Sequence, residues 1–120
     1  MLLRELTADI SFTDAPPEAC LFLSMPGGLC FPVSHVTFSA THHVIFEVRG
    51  SDRRMTKRQF LEALDRMFSV DGGFGVIVLC GALTFFVNSV RIEEDKLVLC
   101  WLCMLNRVLV DIQETKIINI

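Results

Sequence analysis

The stretch from Thr56 to Phe68, Thr-Lys-Arg-Gln-Phe-Leu-Glu-Ala-Leu-Asp-Arg-Met-Phe, constrains the fold more than any other part of this chain. Phe60, Leu61, Leu64, Met67 and Phe68 recur at the spacing of one helix face. The segment is therefore predicted to be an amphipathic helix over about residues 56–69 that must bury this stripe. The Thr56 hydroxyl is placed to cap the first turn, and Gln59 to reach back to the Thr56 N–H, as in a capping box. Asp71-Gly72-Gly73 supplies the stop, because glycine enters left-handed backbone without a Cβ penalty. Burying five large side chains at about 1.5–3 kcal/mol each contributes on the order of 10 kcal/mol, comparable to a domain's net stability. A polar residue at Phe60 or Leu64 is accordingly expected to unfold the domain.

The rest of the sequence reads as strand and turn. Leu6, Ala8, Ile10 and Phe12 alternate with Thr7, Asp9 and Ser11, the pattern of a half-buried strand. The Pro16-Pro17 pair breaks it. Ala19 to Leu23 is a short apolar run closed by the turn Met25-Pro26-Gly27-Gly28, and Leu29 to Val48 holds two strands, the second with Val44, Phe46 and Val48 facing inward. Phe74–Leu79 and Leu83–Val87 read as a strand pair about Gly81 or as one long strand with a glycine bulge. Glu93-Glu94-Asp95-Lys96 is a charged turn, followed by the apolar strand Leu97–Leu105, a turn at Asn106-Arg107, the strand Val108–Ile112 and an edge strand at Ile117–Ile120. One helix flanked by strands gives an α+β fold, a mostly antiparallel sheet packed on a single central helix. At 120 residues, with no repeat and no linker, residues 1–120 are read as a single domain.

The hydrophobic fraction of 52% is high for so short a chain and points to a partner that covers apolar surface. The net charge of −3 gives no broad field for nucleic acid or an anionic membrane. The longest apolar run falls well short of the roughly 20 residues of a membrane span. Five cysteines, an odd number, with nothing at the start resembling a signal peptide, suggest a reducing compartment, cytoplasmic or nuclear.

No catalytic, cofactor or metal site is expected from the motifs. Cys100-Trp101-Leu102-Cys103 has CxxC spacing, but in a strand residues i and i+3 point to opposite faces, and Cys20, Cys30 and Cys80 lack metal-finger spacing. Buried apolar thiols account for them. His42 and His43 are adjacent and diverge in an extended chain, and His35 lies upstream, so all three are read as exposed or core-edge residues; a Cys–His nucleophile pair such as Cys30–His35 or Cys80–His43 has nothing in the sequence to support it. Gly72-Gly73-Phe74-Gly75 follows a helix and precedes a strand, the reverse of a phosphate-binding loop. Arg49, Arg53, Arg54, Lys57 and Arg58 crowd the entrance of the helix, where cations oppose the macrodipole by a few tenths to about 1 kcal/mol. Helix stability does not explain them, and they are the candidate partner-binding residues, with the acidic turn Glu93, Glu94 and Asp95 as the complementary candidate.

Phe46-Glu47-Val48-Arg49-Gly50, then Met55-Thr56-Lys57-Arg58-Gln59-Phe60-Leu61, then a strand leading to Gly81-Ala82-Leu83-Thr84-Phe85-Phe86, resembles the C-terminal ubiquitin-fold domain of ubiquitin-activating enzymes over about residues 44–87. The resemblance implies a β-grasp-like fold and a role in docking a ubiquitin-conjugating enzyme. No adenylation residue or thioester cysteine carries over. The expected function is a non-catalytic protein–protein interaction module, an adaptor or complex subunit using a sheet face or edge and the basic helix entrance. The alternatives are a self-assembling homo-oligomer of viral type that pairs through apolar strands and a small thiol-dependent enzyme.

Overall fold

A computed structural model describes residues 1–38, 43–50, 52–66 and 73–106. The chain opens with α1 (Leu3–Ser11), followed by β1 (Cys20–Ser24), a single 3-10 turn at Pro26–Gly28, β2 (Cys30–Pro32), β3 (His35–Phe38) and β4 (His43–Val48). Then come α2 (Lys57–Arg66), β5 (Gly75–Cys80), β6 (Leu83–Glu93) and β7 (Lys96–Asn106). The architecture is α+β, with one sheet in the order β2-β1-β7-β6-β5-β4-β3. β1–β7 and β4–β5 are parallel pairs, and β1–β2, β3–β4, β5–β6 and β6–β7 are antiparallel.

β2 and β3 stand at opposite ends of that order, yet only Val33 and Ser34 separate them. The Val33 N–H donates to the Leu21 carbonyl of β1 (2.9 Å), and the next N–H, of Ser34, donates to the Glu47 carbonyl of β4 (2.9 Å). Consecutive residues can do this only if the sheet curls until its two ends meet. β2 and β3 thus behave as one bent strand that leaves β1 and takes up β4. The connector into α2 fills the corner: the Met55 N–H donates to the Val33 carbonyl and the Met55 carbonyl accepts from the Leu21 N–H, both at 2.9 Å.

The core lies on the inner side of the curl. Leu3, Leu6 and Ile10 of α1, Phe60 of α2, and Leu21, Leu23, Val44, Phe46, Val76, Val78, Phe85, Val87, Leu97 and Leu99 of the strands form one buried cluster. Ile45, Ile77 and Leu79, with half-buried Phe86, alternate with these and form a smaller cluster on the other face. Burial on both faces explains why β4 and β5 read as nearly unbroken apolar runs.

Among the described residues two α-helices therefore stand where the sequence predicts one. The stretch Leu6–Phe12 is helical, because Leu3, Leu6 and Ile10 also lie at helix spacing and all three are buried, while Phe12 is 88% exposed. The Glu5 carboxylate accepts from the Leu2 N–H at 2.8 Å and fixes the first turn. Leu29–Val48 holds three strands in place of two. Strand β6 runs unbroken through Val90 and Ile92, with register shifts between Phe86 and Ser89. The expected turn at Pro26–Gly28, the hairpin about Gly81 (φ 59°) and the charged turn after Glu93 are present. Met67, Phe68, Asp71-Gly72, His42, Val108–Ile112 and Ile117–Ile120 lie outside the described residues.

Candidate functional site

Helix α2 begins as its sequence dictates. The Gln59 N–H donates to Thr56 Oγ1 at 3.1 Å and the Thr56 N–H to Gln59 Oε1 at 3.0 Å, a reciprocal capping box. Phe60 is wholly buried, with its ring 5.4 Å from that of Phe46, while Leu61 and Leu64 are half-buried. With Phe60 turned to the core, Gln59, Glu62, Ala63 and Arg66 line up on another side at i, i+3, i+4 and i+7.

That side of α2 forms one wall of an open cleft of about 350 Å³. His35 and Val36 of β3 line it as well, with Arg53 and Met55 from the α2 connector. Among the described residues β3 is the last strand at its end of the sheet.

His35 is oriented by a relay. The buried Ser34 hydroxyl lies 3.0 Å from the Glu47 carbonyl and 2.8 Å from His35 Nδ1. When the hydroxyl donates to that carbonyl, Nδ1 is the donor to Ser34 Oγ, and the neutral ring carries its basic lone pair on Nε2. Partial burial, and then the positive charges of Arg49 and Arg53, hold His35 below the ordinary histidine value, against a smaller opposing pull from Glu47.

The basic cluster at the helix entrance is dispersed in the fold, and helix stability is not the right measure of it. Lys57 Nζ donates to the Ala15 and Thr13 carbonyls (3.1 and 3.5 Å) and ties down the α1–β1 loop. Arg58 pairs with Glu18 at 3.1 Å, and Arg49 pairs with Glu47. Arg54 lies 5.8 Å from the Phe22 ring centroid, and Lys96 5.2 Å from the same ring. Of the five, only Arg53 lines the cleft. In the acidic turn Glu93 pairs with Arg91 at 2.8 Å, and Glu93, Glu94 and Lys96 border a separate shallow hollow. The cleft itself was not legible in the sequence: Gln59, Glu62 and Arg66 look like an ordinary solvated helix face, and His35 is far from them along the chain.

The cysteines make no constellation among the described residues, where no group of His, Cys, Asp and Glu could hold a metal ion. The Cys100 thiol donates to the Val98 carbonyl of its own strand at 3.6 Å. Cys100 and Cys103 do lie in a strand, but the β6–β7 register shifts between them, so simple alternation is not a valid ground for setting the motif aside. Burial raises the Cys80 thiol and makes it a poorer nucleophile. Among the described residues no helix is long and apolar enough to cross a membrane. No protein-family model, curated protein or solved structure matches this chain.

Proposed function

We propose that this protein is a non-catalytic interaction module that receives an extended segment of a partner protein in the cleft between β3 and α2. One observation carries the reading: β3, the last strand at its end of the sheet among the described residues, shares an open cleft with a capped helix packed on the core. Strand addition of this kind takes its affinity from main-chain hydrogen bonds and its selectivity from the flanking side chains. The four residues of β3 match a partner stretch of about 13 Å. The ubiquitin-fold resemblance of residues 44–87 falls on the β4–α2–β5–β6 part of the fold, so a ubiquitin-conjugating enzyme is one partner to try in the same assay.

The test is NMR titration of the full chain with an end-capped hexapeptide of alternating valine and threonine. Amide resonances of residues 35–38 and of 59–66 should move together and saturate, and a peptide N-methylated at alternate positions should leave them still. Equal shifts with the methylated peptide, or none in β3 with either, would refute strand addition at this edge.

A further inference from the structure

The cleft carries unequal charge. Arg53, Arg66 and His35 line it against Glu62 alone, and among the described residues neither Arg66 nor Glu62 forms an ion pair. The carboxylate of Glu47, on the neighbouring strand, is engaged by Arg49. With the Ser34 hydroxyl donating to the Glu47 carbonyl, the His35 lone pair is on Nε2. Protonation there would create a new donor while leaving the Nδ1 hydrogen bond intact.

We infer that the segment accepted by this cleft is acidic, and that its carboxylates are held by Arg53, Arg66 and a His35 that takes up a proton on binding. This rests on the proposed strand addition and adds the chemistry of the occupant to it. The charged groups that act on His35 are Glu47 and Arg49 of β4 and Arg53 of the connector, with Ser34 bonded to the ring and Glu62 and Arg66 lining the same cleft from α2. In the free protein partial burial, and then the charges of Arg49 and Arg53, disfavour a positive ring. A carboxylate beside Arg53 offsets part of that repulsion and accepts from Nε2–H, a charge-assisted bond. Binding and protonation of His35 then favour each other reciprocally.

The experiment compares three end-capped hexapeptides, valine alternating with aspartate, threonine or lysine, on the full chain. The aspartate peptide should bind about tenfold more tightly than the threonine one, and the lysine peptide more weakly than either. Arg53→Gln with Arg66→Gln should remove the aspartate advantage, read as the ratio of aspartate-peptide to threonine-peptide affinity. The midpoint of the His35 ring-proton titration should rise when the aspartate peptide saturates the protein. Affinity should be several-fold higher near pH 5.5 than near pH 7.5, a range in which aspartate, with a pKa of about 3.9, stays ionised. His35→Gln should flatten that dependence. If all three peptides bind alike, or the His35 midpoint does not move, the acidic occupant is refuted while strand addition survives. If none binds, the parent reading fails as well. If inorganic phosphate shifts His35 as far as the aspartate peptide does and abolishes its advantage without competing for β3, the charges serve a free anion and the inference is overturned.

Discussion

Replacing Phe60 by alanine tests the packing on which the cleft depends. Phe60 is the one fully buried residue of α2 among those described, with its ring 5.4 Å from Phe46 at an interplanar angle of 47°. Truncating a buried phenylalanine removes its transfer free energy and leaves a cavity, together about 3–5 kcal/mol, which includes about 0.5–1.5 kcal/mol for the tilted aromatic pair. A domain of this kind is stable by about 5–15 kcal/mol, so Phe60→Ala removes a large share of the total. The measurement is guanidinium unfolding followed by the fluorescence of Trp101, the only tryptophan. Trp101 sits in β7 against Phe85, away from α2, and so reports on the whole domain. The midpoint should fall with little change in slope, and the melting temperature by about 10–20 °C. Half-buried Leu64, cut to alanine, should lose clearly less, about 1–2 kcal/mol. A loss below about 1 kcal/mol for Phe60→Ala, or equal losses at both positions, would refute the claim that Phe60 anchors α2.

Thr84 is wholly buried on β6 and among the described residues its hydroxyl has no hydrogen-bond partner, so Thr84→Val should stabilise the fold by about 1 kcal/mol in the same denaturation assay; destabilisation would reveal an unrecognised partner. The Trp101 Nε1–H donates to the Ser24 carbonyl at 2.7 Å, so Trp101→Phe should cost about 1–3 kcal/mol, read by circular dichroism melting since the fluorophore is lost. Thr56→Ala removes the acceptor for the Gln59 N–H and should lower stability by about 1 kcal/mol, with Thr56→Ser restoring it. Because the folded state holds His35 below its ordinary value of 6.5, the unfolded chain binds the proton more readily. The stabilising contribution is therefore present above about pH 6.5 and lost as pH falls through the folded value, and stability curves of His35→Gln should be flatter than those of the parent over that window.

What could be read from the sequence was what local physics decides. The Thr56 cap, the Phe60, Leu61 and Leu64 part of the helix stripe, the glycine turn at Gly81 and the strand Leu97–Leu105 depend on neighbours a few residues away, and each appears in the structure. Helix α1 was misread because Leu6, Ala8, Ile10 and Phe12 satisfy a period of two. Adding Leu3 reveals the helical period, and the exposure of Ala8 and Phe12 decides between them. The helix dipole does not account for the cations of the helix entrance, and the sequence does not show that Lys57 and Arg58 are tied to the loop before β1, more than thirty residues upstream. The cleft is non-local in the same way: His35 and Arg66 meet only because the sheet curls, and no pattern in either stretch encodes that meeting.

The bend at Val33–Ser34 also sets an order in time. The strand that closes the sheet is made early in synthesis, but β1 completes its pairing only when Cys20–Leu23 meets Lys96–Leu99, near the other end of the described chain. Until β7 has emerged, the N-terminal hairpin has one side of β1 unsatisfied, and loop closure over that span must precede the gain from its contacts. Closure is therefore a late, slow event, and a chain halted after β6 would present the Cys20–Ser24 edge to any strand within reach.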